Sequence, residues 1–487
     1  MASKALLLSL AAFPLVKTET VLGVYIFSRH GDRTPKALAP TNLTALGADQ
    51  VFASGGWYRG QYVASDASSP ILALSRDVAA LPQLAVTAPT DNVLQNSAQA
   101  FLQGLYPPAG DISIQELRND TNVTAPLGGY QYIPVNAVSS AASSSNSENS
   151  AWLQGSSGCD NAVVSSNNYL SSADYTTAFD ESKGFYQGLL PVINSTFAAD
   201  AATFKNAYAI FDYVDGATIH NQTIPASDLL TNATLRELKL LANEHEWGLA
   251  YNSTDTVRAI AGATLAGQIV DALNATIAAR SKPVVNIQFG AYGVFLSFFG
   301  LAQLPAVSDD FTGVVNYAAS MVFELVTNAS VSAGAAYPST DDISVRFRFT
   351  NGSAAAMTPA AYPLFGQDET VLPWSTFASE MNKFAVSTTP DWCRACGVTT
   401  GACANLSSSS SGSDGGGDDG TSSSSQKSGN NSISLPVAGV IGALVTLAVV
   451  LGAEALIYFL SGLTLTKKST LAAAQAGAAA ASSASKA

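Results

Sequence analysis

Histidine is scarce in this chain, with three in 487 residues, at His30, His220 and His245. No metal centre built on several clustered histidines is therefore readable from the sequence. Cysteine is nearly as rare: Cys159, Cys393, Cys396 and Cys403. Cys393-x-x-Cys396 has neither a second paired motif nor a nearby histidine to complete a zinc site, and no thioredoxin-like βαβ pattern surrounds it. Disulfides are the better reading, and four cysteines allow three pairings, which the spacing leaves open. Charge is sparse as well. Only 12% of residues are charged, with 23 Lys+Arg against 36 Asp+Glu and a formal net charge of −13. That balance argues against a nucleic-acid partner. It does not exclude a phosphorylated substrate, because local arginines rather than net charge make such a site.

What the sequence does hold is concentrated in Phe27-Ser28-Arg29-His30-Gly31-Asp32-Arg33-Thr34-Pro35, directly after the apolar run Val21-Leu22-Gly23-Val24-Tyr25-Ile26. The run reads as a short buried strand, so His30 emerges at a strand's carboxyl end, where open α/β sheets place ligands. An imidazole between two guanidinium forks, beside a glycine that admits close backbone approach, suits phosphoryl transfer. His30 would attack phosphorus while Arg29 and Arg33 hold the equatorial oxygens.

These residues follow the RHGxRxP pattern, and on them the chain resembles the histidine acid phosphatases, in the fungal acid phosphatase and phytase-like branch. Gly47, Gly56 with Arg59 and Tyr62, Ser97-Ala98 through Gly104-Leu105-Tyr106-Pro107, and Tyr317 through Glu324-Leu325 look like family landmarks in family order. The resemblance covers roughly residues 20–405. It implies a phosphohistidine intermediate at His30, substrate binding by Arg29 and Arg33, no cofactor or metal, and a smaller, mainly helical domain inserted at about 110–280.

The resemblance departs from the pattern twice. Family members carry a His-Asp pair after the second active-site strand, where this chain has Phe289-Gly290-Ala291-Tyr292-Gly293, and a third clamping arginine where it has Val93. General acid catalysis is worth about 10²–10⁴ in rate, so the missing pair leaves room for a catalytically weak or inactive relative that binds phosphate ligands at the cell surface. Asp32, inside the motif loop, is the candidate substitute acid, with a loop residue bonding backbone as its structural alternative. Tyr292 is a weaker candidate, since a phenol titrating near 10 is a poor acid. His245 shares a helix face with Leu238 and Leu241 and reads as structural.

The periodicity predicts a helix through Leu94, Ala98, Phe101, Leu102 and Leu105, stopped by Pro107-Pro108. It predicts a loop-rich excursion over 109–175, then a helix opened by a capping box at Thr234-Leu235-Arg236-Glu237. A helix over 257–273, a strand over 284–289 and a helix over 294–301 follow. The fold class expected is α/β, a mixed sheet with helices on both faces plus the inserted helical domain.

Both ends of the chain read as accessory segments. Residues 1–17 have Lys4 followed by an apolar stretch too short to span a bilayer and read as a signal peptide, with a first buried strand or an uncleaved anchor as alternatives. Residues 406–432 are a Ser/Gly-rich linker, 433–465 an apolar segment long enough to cross a membrane, and 466–487 a tail opened by Lys467-Lys468. Twelve Asn-x-Ser/Thr sequons all precede the apolar segment. Together these predict a type I single-pass membrane glycoprotein, its folded domain extracellular or in a vacuolar or secretory lumen.

Overall fold

The computed structural model describes residues 19–138, 158–220, 225–279, 282–334, 336–400 and 403–404. The expected signal peptide, linker, transmembrane segment and tail lie outside the described residues.

Strand β1 (Thr20–Arg29) is almost wholly buried because it has a neighbour on each side and helices above and below. That position explains the unbroken apolar run, since a strand covered on both faces has no polar alternation to show. It pairs in parallel with β4 (Val285–Gly290) and antiparallel with β5 (Ser320–Thr327). Outward from β4 lie β2 (Leu84–Pro89) and β3 (Asn136–Val138), both parallel. Outward from β5 lie β6 (Ile343–Thr350) and β8 (Val371–Pro373), with the short β7 (Ala360–Ala361) also on β6. The result is one eight-stranded mixed sheet, with β1 at its centre.

Successive side chains of β1 feed two cores. Val24 and Ile26 pack with α1 (Ala45–Tyr58) and α2 (Asn92–Leu105); Tyr25 and Phe27 pack with α7 (Ile260–Ala279) and α8 (Tyr292–Leu301). Helices therefore cover both faces, as the sequence predicts. Capping sets where they begin: Thr44 accepts from Gly47 N, and Asp91 accepts from Leu94 N at 2.9 Å. Among the described residues one helix, Thr256–Ala279, is long and apolar enough to cross a membrane, and most of it is buried against the sheet.

Between β3 and β4 the chain is helical: α3 (Asp160–Tyr169), α4 (Ala173–Gly188), α5 (Ala207–Ile219), α6 (Asn232–Ala250) and α7. Tyr186, Phe204, Ile210, Val214 and Leu238 form a separate hydrophobic cluster there. Two sequence expectations are corrected in this region. The loop-rich excursion contains α3 and the start of α4, whose polar residues face outward around buried Ala162, Ser165, Tyr169 and Tyr175. Helix α6 opens three residues before the expected capping box, because Thr231 is the cap and Thr234 N is what its side chain accepts from.

The cysteines pair as Cys159–Cys396 and Cys393–Cys403, so that both Cys393 and Cys396 of α10 (Thr389–Cys396), which follows α9 (Trp374–Asn382), are tied to residues outside that helix.

Candidate active site

Register puts the site's two halves side by side. Arg29, the last residue of β1, stands opposite Gly290, the last of β4, so His30 and Ala291 leave adjacent carboxyl ends together. The loop after β1 is then pinned from three directions. Ala318 N donates to His30 O at 2.9 Å, Gly31 N donates to Ser97 Oγ at 3.2 Å, and Asp32 N donates to Gln50 Oε1 at 2.9 Å. Gly31 and Gly47 are required by contact. A Cβ on Gly31 would meet Gly47 O at 2.0 Å, and one on Gly47 would meet Asp32 O at 2.0 Å.

His30 is fully buried and edges against the Tyr317 ring, with centroids 5.6 Å apart. Its Nδ1 lies 2.7 Å from Gly31 O. A carbonyl oxygen only accepts, so Nδ1 carries the hydrogen and Nε2 the lone pair. That is the tautomer a nucleophilic Nε2 needs.

Both arginines are buried and already engaged. Arg29 donates to Val315 O and to Tyr208 OH, and sits 4.5 Å from the Tyr317 ring centroid. Arg33 donates to Asp212 Oδ2 at 3.0 Å and to Tyr208 OH at 3.3 Å. Asp212 also accepts from Lys36 N at 2.8 Å and from Tyr317 OH at 3.3 Å. Helix α5 thus lays a carboxylate and a phenol across the guanidinium pair. Burial, then the Asp212 charge, push the Tyr208 phenol well above its ordinary pKa, and burial does the same to Tyr317. Neither phenol is a useful acid.

Asp32 is fully buried, and its Oδ2 accepts from Thr44 Oγ1 and from His220 Nε2, the latter at 2.8 Å. His220, the residue that ends α5, is a site neighbour that sequence reasoning missed. It lies 188 residues from Asp32, and nothing local to it signals the contact. Asp212 was missed for the same reason.

At the β4 end, Ala291 is buried as the N-cap of α8, without a capping side chain. Tyr292 packs against Tyr208 with centroids 4.6 Å apart and ring planes tilted by 39°, and donates to Glu246 Oε2 at 2.9 Å. Glu246 in turn contacts His245 Nδ1 through Oε1 at 2.9 Å, and His245 packs edge-on against Phe204. The reading of His245 as structural agrees with that packing. Val93 is wholly buried on the first turn of α2.

A cavity of about 440 Å³ opens onto Arg29, and its wall includes Tyr208, Asp212, Asp215, Lys239, Tyr317 and Ser353. A second cavity of about 210 Å³ is mostly apolar, and its one charged residue, Arg258, is spent on Ser165 and Gly248 carbonyls. Of these two cavities, the one at Arg29 has the charged and titratable wall.

A buried imidazole flanked by two arginines at a strand end is the combination of groups that phosphoryl transfer uses. Residues 38–350 match the histidine phosphatase superfamily (branch 2), and the chain belongs to that family. The matched span begins just after the motif loop ends at Pro35. Among curated protein sequences none matches this chain. Solved structures similar in chain path include the phytase from Citrobacter braakii, at 15% identity and TM-score 0.49, covering 77% of this chain and 99% of that one. The phytase from D. castellii has 13% identity and TM-score 0.48, covering 78% and 82%. The multiple inositol polyphosphate phosphatase from Bifidobacterium longum has 10% identity and TM-score 0.43, covering 78% and 96%.

Proposed function

We propose that this chain hydrolyses phosphomonoesters through a phosphohistidine at His30, with Arg29 and Arg33 binding the substrate phosphate. The observation that carries this reading is His30 itself, with Nδ1 held by Gly31 O, between the two arginines where the chain leaves the end of β1. Family membership supports the reaction class, and the names of the phytase neighbours fit a small phosphorylated substrate. No cofactor or metal enters the reading. The chain is proposed to be anchored by residues 433–465, with this domain on the extracellular or lumenal side.

A second reading is favoured by one arrangement. Arg33 is fully buried in an ion pair with Asp212, and Tyr292 stands where the family places an acid. A protein in this state would bind phosphate ligands weakly and turn over little. The two readings separate in one experiment on the full-length protein purified in detergent: aryl phosphate turnover, with mapping of the phosphoenzyme after a denaturing alkaline quench, under which a phosphohistidine survives. Phosphate on His30, absent from His30→Ala, supports the enzyme. Equal background rates for both proteins would select the binding protein.

A further inference from the structure

The cavity that opens onto Arg29 contains two carboxylates, Asp212 and Asp215, three residues apart on α5 and so on one face of that helix. They differ in what they touch. Asp212 is committed to Arg33, Lys36 N and Tyr317 OH. Asp215 makes no hydrogen bond or ion pair among the described residues, and it is half-buried with its side chain on the cavity wall. Paired carboxylates with unlike surroundings divide labour, the charged and bonded one holding structure and the unpaired one free to exchange a proton.

We propose that Asp215 is the residue that protonates the leaving oxygen in this chain, in place of the family pair that Ala291 and Tyr292 have displaced. This rests on the phosphohistidine reading above. In the first step His30 Nε2 forms a bond to phosphorus and the P–O bond to the leaving group breaks. The electron pair goes to that oxygen, and the Asp215 proton follows it, leaving an alcohol and an Asp215 carboxylate. In the second step the carboxylate takes a proton from water as the water oxygen bonds to phosphorus and the His30 Nε2–P bond breaks, its electron pair returning to nitrogen. Inorganic phosphate is released, and neutral Asp215 and free His30 are restored.

The other groups on the cavity wall are unsuited. Tyr208 and Tyr317 are phenols whose protons burial makes still harder to release. Lys239 donates to Asn316 Oδ1 at 3.3 Å, and Asp32 has its Oδ2 committed to Thr44 and His220. The surroundings of Asp215 favour its protonated form. Burial first, then the Asp212 charge, raise its pKa, with Asp32 adding slightly, while Lys239 and Arg29 oppose the shift. Its proton is thus retained to higher pH than on an exposed aspartate, and alkyl-ester turnover is expected to fall as pH rises through that raised value.

The test uses the full-length protein with an aryl phosphate and glycerol phosphate, in wild type, Asp215→Asn and Asp215→Glu. The expected result for Asp215→Asn is an unchanged phosphoenzyme burst from the aryl ester, glycerol phosphate turnover lower by about 10²-fold or more, and loss of the alkaline fall in the pH profile. Asp215→Glu should recover part of the alkyl rate. If wild type forms phosphoenzyme and Asp215→Asn, folded by circular dichroism, leaves the alkyl-to-aryl ratio unchanged, the assignment of Asp215 is wrong while the phosphohistidine stands. If Asp32→Asn alone collapses that ratio, Asp32 is the acid. If wild type forms no phosphoenzyme, both readings fall.

Discussion

The carboxyl ends of β1 and β4 are neighbours in register, yet they have opposite characters. The β1 end carries Arg29, His30, Asp32 and Arg33, all buried and each held by named donors or acceptors. The β4 end carries Gly290, Ala291 and Tyr292, and its one polar atom, the Tyr292 hydroxyl, points to Glu246 rather than to chemistry. Hydrogen-bonded polar groups gather at one strand end, and aromatic packing fills the other. The two halves of a site that meet in space are therefore separable in sequence, because each is assembled on its own strand end.

Substitutions can break this comparison in graded ways. The largest effect is expected from His30→Ala, which should abolish trapping of acid-labile, alkali-stable phosphate on the protein and lower aryl phosphate turnover to background, measured by radiolabel incorporation and by steady-state rate. Tyr292→Ala should act on the fold instead. Removing a buried aromatic ring costs about 3–5 kcal/mol, so the denaturation midpoint should fall sharply while the folded fraction still forms phosphoenzyme. Loss of phosphoenzyme per folded molecule would show that the β4 end is chemical after all.

Cys159→Ala with Cys396→Ala tests the bracing behind that end, since the Cys159–Cys396 bond packs in one cluster with Ala259, Ile260 and Leu301, the last residue of α8. The expected loss is about 2–5 kcal/mol in urea unfolding, and peptide mapping of the unreduced wild type should show Cys159–Cys396 and Cys393–Cys403. The smallest effect is expected from Tyr292→Phe, which removes one donor from buried Glu246 and should cost about 1–3 kcal/mol with little change in rate. A rate loss with unchanged stability would place the hydroxyl in the reaction.

How much of this was legible in the sequence follows from how each piece is assembled. His30 and its arginines are contiguous, so one apolar run and one polar loop disclose them. The same contiguity sets Ala291-Tyr292 against the His-Asp pair that the resemblance leads one to expect there. Asp212, Asp215 and His220 belong to α5, a helix from the distant segment between β3 and β4, and reach the site only by tertiary docking. The spacing of Asp212 and Asp215 was visible as an i, i+3 pair, but no periodicity says what a helix face will cover. Helix α3 was illegible because its polar residues make a poor amphipathic stripe. It is held by contacts outside itself, with Arg258 donating to Ser165 O at 2.6 Å and Cys159 bonded to Cys396 beside it. The landmark residues Tyr62 and Glu324 have a plain structural reason: the Tyr62 hydroxyl donates to Glu324 Oε1 at 2.5 Å, while Arg346 and Arg348 hold the other oxygen.

The contact between Gly31 and Gly47 sets how this loop can vary over generations. Main chain meets main chain there, and each missing methyl would strike the other segment's backbone at 2.0 Å. A change at one position cannot be relieved by a change at the other, because neither has a side chain to shorten. The pair is thus closed to stepwise exchange, and each of the two positions admits one amino acid.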